Sequence, residues 1–170
     1  MRSYSLLVLL TGALLSSVAL AQVAIPLTLT LAQALVRTVM VDGKATEQLV
    51  ANPKGVGPGD VLSQFITARN TSGKALTNVM VRLPVPKGTT YLKPETAMNM
   101  AETAKAEYSI DGGKTYAAAP LKKTITVMEN GKSLKKEVEV KPAEYTNVLW
   151  ILPRIESGKE QKVGFRIQVN

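Results

Sequence analysis

The chain has 170 residues, the size of one domain, and its 21 basic and 13 acidic side chains give a formal net charge of +8. It contains no histidine and no cysteine, which excludes a disulfide scaffold, a thiolate nucleophile and the commonest ligands of zinc. A hydrophobic fraction of 45% with 20% charged residues is typical of a globular protein. Because only carboxylates, lysines and tyrosines remain as titratable catalysts, the composition favours a protein that is not an enzyme and uses no cofactor.

The first 21 residues follow the three-part pattern of a secretory signal peptide. Arg2 precedes an apolar run that begins at Leu6–Leu10, and Ala19–Ala21 supplies the small residues of a cleavage site. An uncleaved membrane anchor is the alternative, since apolar residues continue to about Val36, but polar residues and a proline interrupt this run. We therefore expect export to the periplasm, the cell surface or the medium, with one domain over residues 22–170 and no stable transmembrane span after cleavage.

Alternating apolar and polar residues predict strands through most of the remaining chain. The strands expected from this pattern lie at 27–41, 61–70, 78–85, 147–152 and 161–169, with a short extended piece at Tyr91 and Leu92. In the second of them, Leu62, Gln64, Ile66 and Ala68 share one face. The segment 96–105 is predicted to be a loop that contains at most one helical turn.

Two further segments are predicted to be hairpins. The first runs from Glu107 to Tyr116 around an Asp-Gly-Gly turn, and the second runs from Thr124 to Val140 around Asn130-Gly131. Asn-Gly is the favoured pair for a two-residue type I′ turn. With that turn, Val127 faces Leu134 across the strands, and Glu129 faces Lys132.

About seven to nine short strands without a long helical period predict an all-β, antiparallel β-sandwich. Trp150, the only tryptophan, is expected to fill the core between the two sheets. Asn70 is expected to end its strand by bonding its own backbone two residues on. Asn70-Thr71-Ser72 also fits the glycosylation sequon, which is the less favoured interpretation.

Two regions of the chain together match a known surface-protein pattern. The first contains Val56–Asp60 ahead of the strand that ends at Asn70, followed by Thr77–Thr89; the second is Val148–Lys159 with the alternating strand after it. This pattern resembles the bacterial surface-protein repeat known as domain of unknown function eleven, and single-repeat secreted members of Deinococcus and Thermus type. The resemblance implies an immunoglobulin-like sandwich on the cell envelope and no assigned activity. Gln64 stands where the family usually has an aromatic residue.

The second hairpin concentrates basic side chains. Its lysines are Lys122, Lys123, Lys132, Lys135, Lys136 and Lys141, against three glutamates in the same stretch. Such a patch suits an anionic polysaccharide, another polyanion or an acidic protein of the envelope. Nucleic acid is not expected, because the chain is exported and no aromatic platform accompanies the lysines. Lysine is also the usual protection of an exposed strand edge, and this interpretation is favoured over binding.

Acidic residues give no convincing catalytic or metal site. Glu95, Glu102, Glu107 and Asp111 lie in one region, as the paired carboxylates of a glycoside hydrolase require, yet each is expected in a loop or on an exposed strand. Asp111 lacks the further acidic ligands of a calcium loop. The sequence therefore predicts a non-enzymatic, exported structural or protein-interaction module, with polyanion binding as the alternative and the oligomeric state open.

Overall fold

The computed structural model describes residues 26–96 and 103–170. The predicted signal peptide and the middle of the predicted loop at 96–105 lie outside the described residues.

The described residues form ten β-strands and one short 3-10 turn. The strands are β1 (Leu27–Val41), β2 (Lys44–Ala51), β3 (Val61–Asn70), β4 (Leu76–Pro84), β5 (Thr89–Pro94), β6 (Lys105–Ser109), β7 (Lys122–Glu129), β8 (Lys132–Glu139), β9 (Asn147–Ile155) and β10 (Glu160–Val169), and the turn spans Pro142–Glu144. The sequence pattern missed β2, because its residues are mostly polar and exposed and show no alternation.

The strands make an antiparallel β-sandwich, which confirms the predicted fold class. The larger sheet has the order β2-β1-β3-β10-β5, the smaller one has the order β4-β9-β6, and β7 and β8 form a separate two-stranded ribbon. Every paired strand is antiparallel. The last strand, β10, lies between β3 and β5, so the larger sheet is complete only when the end of the chain has entered it.

The hydrophobic core lies between the two sheets, on the faces that the alternation predicted. Leu62 and Ile66 of β3 are buried opposite Ile167 and Val163 of β10. Trp150 of the smaller sheet is 5% exposed, and its ring stacks on Phe165 of the larger sheet at a centroid distance of 5.9 Å. The predicted role of the tryptophan as core filler is confirmed.

A cluster of tyrosines closes the other side of the core. The ring of Tyr91 in β5 contacts those of Tyr108, Tyr145 and Phe165, at centroid distances of 5.7, 5.4 and 5.5 Å. Burial raises the pKa of Tyr91, since the phenolate would lose its hydration there. The sequence did not identify this cluster, because its members lie in different elements with no shared spacing.

The β1–β2 ribbon curls over the outer face of the larger sheet. β1 pairs with β3 only as far as Leu35, and beyond that residue it pairs with β2 alone. Three strand spacings would hold β2 about 14 Å from β10 in a flat sheet. Even so, the Glu47 carboxylate of β2 lies 2.7 Å from the Arg166 guanidinium of β10. The free end of the ribbon must therefore bend across the sheet to reach β10.

Arg166 is buried on the outer face of the larger sheet and is held by two carboxylates. Its Nε donates to Glu95 at 3.0 Å and its Nη1 donates to Glu47 at 2.8 Å. The side chain of Glu95 is 0% exposed, whereas that of Glu47 is 53% exposed. Glu95 lies in a loop just after β5, as expected, but its side chain is buried there because it compensates the charge of Arg166.

The middle of β10 is buried on both faces. Residues Val163 through Ile167 are all buried, although only alternate ones point into the core. Gly164 is required at its position, because a Cβ there would lie 2.3 Å from the Gln64 carbonyl oxygen and 2.8 Å from the Phe65 Cβ. The aromatic residue next to Gln64 thus occupies the outer face, beside the glycine, instead of the core.

Asn70 links the two sheets where β3 ends. Its Oδ1 accepts a hydrogen bond from the Ser72 backbone N–H at 2.9 Å, as predicted. Its Nδ2 donates to the carbonyls of Lys74 and Ile155 at 2.8 and 2.9 Å. Both hydrogens of a fully buried amide are therefore used within the fold, which favours the strand-ending role of Asn70 over the sequon.

The predicted hairpin over Glu107–Tyr116 is wrong. β6 pairs with β9 instead, and only an isolated bridge joins Tyr108 to Ala117. The Asp111 carboxylate organises the intervening loop by accepting the backbone N–H groups of Lys114 and Thr115, both at 3.0 Å. These hydrogen bonds, with those from the hydroxyls of Ser109 and Thr115, hold the pKa of Asp111 well below its usual range.

We expect replacement of Arg166 by alanine to reduce the free energy of unfolding by about 3–5 kcal/mol, because it leaves the buried Glu95 carboxylate without its cation. Urea denaturation of the two proteins measures the difference. Arg69→Ala, on an exposed position of β3, is the matched control and should change stability by less than about 0.5 kcal/mol. Equal losses in the two variants would contradict the stabilising role of the buried pair.

Glu47→Gln is expected to cost less than about 1 kcal/mol near neutral pH, because the carboxylate is half-exposed. The Arg166 guanidinium and the Lys93 charge hold the pKa of Glu47 below 4.5, the ordinary value of a glutamate side chain. The negative charge of Glu95 opposes this effect. The native state therefore binds the Glu47 proton less readily than the unfolded chain, and the ion pair contributes stability above that pH. Urea titrations at several pH values should show this difference vanish as the pH falls below 4.5; a difference that grows on acidification would contradict the ion pair.

Candidate functional site

The ribbon of β7 and β8 with its Asn130-Gly131 turn, called here the arm, projects from the sandwich. Asn130 and Gly131 both have positive φ angles, 50° and 72°, as a type I′ turn requires. Val127 pairs with Leu134 and Glu129 with Lys132, which confirms the predicted register. Each strand has eight residues and so spans about 26 Å.

The arm joins the body only at its root. The Val140 backbone N–H donates to the Leu121 carbonyl at 2.8 Å, and both side chains are buried. Among the described strands, β7 and β8 pair only with each other. An isolated two-stranded ribbon has marginal stability in water, so the arm has little support of its own beyond this root.

The structure divides the predicted lysine patch between the two faces of the arm. Cross-strand pairing and alternation place Lys123, Lys132 and Lys136 on one face and Lys122 and Lys135 on the other, while Lys141 follows the end of β8. Six lysines that are close in sequence therefore do not form one cluster.

Ion pairs hold two of these lysines. The Lys122 Nζ lies 3.0 Å from Glu137, with both side chains about three-fifths exposed, and Lys123 binds Glu144 beside the root. The contact with Lys123 lowers the pKa of Glu144. Exposed pairs of this kind contribute little to stability, but they reduce the positive charge that the root of the arm offers to a ligand. The most available charge lies towards the tip, at Lys132, Lys135 and Lys136, all of which are exposed.

Apolar side chains accompany the lysines on one face of the arm. Ile125, Val127, Leu134 and Val138 share that face, which continues outward from the buried root. Leu134 is 46% exposed, and Met128 near the tip, on the opposite face, is 70% exposed. This face therefore carries apolar side chains together with Lys123, Lys132 and Lys136.

A second unusual surface lies where the larger sheet extends past the smaller one. Trp150 of β9 covers Phe165 of β10, and Tyr108 of β6 lies against Tyr91 of β5. With β9 and β6 so placed, the strand order puts β4 over β3 and leaves nothing from the smaller sheet over β1. Leu29 and Leu31 of β1 face the same side as the buried Ala68 and Ile66, yet they are 50% and 58% exposed.

In the described part of the chain, the structure holds no group of three or more acidic residues placed to bind a metal ion. No helix in those same residues is long and apolar enough to cross a membrane. Of the acidic residues considered for catalysis, Glu95 is committed to Arg166 and Asp111 to its own loop. Glu102 lies outside the described residues, and Glu107 pairs across the strands with Leu149.

Comparison of the chain with family models, with curated proteins and with solved structures finds no significant match to any of them.

Proposed function

We propose that this chain is a non-enzymatic, exported module of the bacterial cell envelope that binds another envelope component through the arm. The leader-like first 21 residues and the resemblance to a surface-protein repeat support the location. The observation that carries the proposal is the arm itself, a projecting ribbon that keeps exposed apolar and basic side chains and is joined to the body at its root, at Leu121, Val140 and the Lys123–Glu144 ion pair.

The chemistry of the arm favours a protein partner over a purely ionic one. The Ile125, Val127 and Leu134 side chains give a contact that salt does not screen, because its driving force is the burial of apolar surface. The lysines near the tip favour acidic groups on the partner and steer its approach. Such a contact joins two components of the envelope, as a structural or scaffolding role requires.

Photo-crosslinking in intact cells tests this function. A photoreactive amino acid at Met128, which is exposed near the tip of the arm, should give one dominant adduct with another envelope protein. The matched control places the same group at Met40 in β1, which is about as exposed as Met128 and lies in a strand that pairs only with β2 and β3 among the described strands. The absence of a protein adduct at Met128, or the same adduct from both positions, would contradict the proposal.

A shortened arm supplies the second control. A short turn that joins Leu121 directly to Val140 should leave the sandwich folded, because the hydrogen bond between these residues and the core beneath them are kept. Its thermal unfolding should resemble that of the intact chain. We expect envelope association to be lost with the arm, measured by cell fractionation.

Binding of an anionic polysaccharide or other polyanion is the second candidate function, favoured by the exposed lysines of the arm. In that case, retention on an anionic polysaccharide should fall with salt and with the change of Lys122, Lys123, Lys135 and Lys136 to alanine. The pairing of Lys122 and Lys123 with Glu137 and Glu144 predicts a larger loss from Lys135 and Lys136 than from the other two. Retention that survives all four changes excludes this function, and so does an equal loss when exposed lysines of the body, Lys74, Lys87 and Lys159, are changed instead.

A further inference from the structure

The smaller sheet ends one strand short of the larger sheet that it covers. β6, β9 and β4 lie over β5, β10 and β3, and none of the described strands lies over β1. The inner face of β1 at Leu29 and Leu31, together with the neighbouring edge of β4, is called here the open slot. Its floor is apolar, because both leucines point to the core side of the sheet.

The wall of the open slot is a row of backbone hydrogen-bonding groups. β4 is nine residues long and pairs only with β9 among the described strands, so its other edge has no strand partner there. Proteins usually guard such an edge with lysines, prolines or bulges, or cover it. In β4, Pro84 ends the strand and Asn78, with a φ of 51°, is skipped in the pairing with β9, so the regular part of the edge runs from Val79 to Leu83. Between Leu76 and Pro84 the only charged residue is Arg82, and the exposed hydrophobic residue Met80 lies in the same strand.

We propose that the open slot binds an extended acidic segment of another protein, which adds to the edge of β4 as a fourth strand of the smaller sheet. A strand in that position lies above β1 and covers Leu29 and Leu31 with its alternate side chains. Its backbone groups pair with the edge of β4, which is the general mode of strand addition. This surface is separate from the arm, so the inference goes beyond the proposed function.

The charge around the open slot selects the partner. Lys74 precedes β4 and Arg82 lies within it; both are exposed, and the Arg82 guanidinium lies 5.7 Å from the centroid of the Tyr116 ring. Acidic residues at the ends of the added segment complement these cations. A second copy of this chain is disfavoured as the occupant, because each copy carries a net charge of +8 and like charges oppose association.

Two synthetic peptides test the inference. Both have nine residues with alternating valine and threonine; one carries glutamate at each end and the other carries lysine. We expect the glutamate peptide to bind the purified protein and to slow hydrogen exchange of the β4 amides at least about 10-fold, since paired strand amides are protected. The lysine peptide should bind at least about 10-fold more weakly.

Variants of the slot locate the binding. Leu29→Ser and Leu31→Ser should each weaken binding of the glutamate peptide about 10-fold, because each removes apolar surface that the peptide buries. Arg82→Glu should weaken the glutamate peptide and strengthen the lysine peptide. Leu92→Ser, at an exposed leucine of β5 on the opposite side of the sheet, is the matched control and should leave binding unchanged. Thermal unfolding of each variant separates loss of binding from loss of folding.

Since the described residues contain no cysteine and neither does the rest of the sequence, a single introduced cysteine gives an independent test of where the peptide binds. Met80→Cys should form a disulfide with a peptide that carries a central cysteine, and Leu92→Cys should not. The proposal is overturned if neither peptide binds, if protection appears at β2 or β5 instead of β4, or if the protein alone dimerises with its β4 amides already protected. These outcomes do not depend on the arm, so failure here leaves the proposed function to its own test.

Discussion

The buried guanidinium of Arg166 is the constraint on which the arrangement of the larger sheet depends. A cation in that position requires anionic partners, because the loss of its hydration costs several kcal/mol. Glu95, just after β5, and Glu47, in β2, supply them from the two sides of β10. To bring Glu47 there, the β1–β2 ribbon bends across the sheet. That bend places the Glu47 carboxylate against Arg166 on the outer face of β10, whose middle residues, Val163 through Ile167, are all buried.

The unequal size of the two sheets has the greatest consequence for function. The larger sheet has five strands and the smaller one has three. Of the two additional strands, β2 bends towards the outer face, while β1 keeps Leu29 and Leu31 exposed. Aromatic rings cover the core between the other strands of the two sheets, whereas the apolar side chains of β1 stay exposed beside the edge of β4 that pairs with none of the described strands. The arm adds a second exposed surface of different character, with lysines near its tip.

The lysine-rich hairpin illustrates the limit of a linear pattern. The sequence predicts the turn and the register of the arm, because Asn130-Gly131 selects one turn type and the turn fixes every cross-strand pair. It also predicts that basic charge is concentrated there. With that register, the alternation also places neighbouring lysines on opposite faces of the arm. What the sequence does not show is that Glu144, beyond the hairpin, binds Lys123. The hairpin predicted at Glu107–Tyr116 is reduced to one bridge between Tyr108 and Ala117, because the Asp111 carboxylate organises the residues between them into a loop.

The sequence by itself determined the all-β class, most strands, the faces of β3 and β10, the role of Asn70 and the burial of Trp150. Each of these follows from interactions between residues near in sequence or from a period of two. The tertiary structure alone decided that Glu95 and Glu47 meet Arg166, that three tyrosines cluster, and that β1 overhangs the smaller sheet. These features join residues from distant strands, and their positions depend on how many strands each sheet receives, which no local pattern encodes.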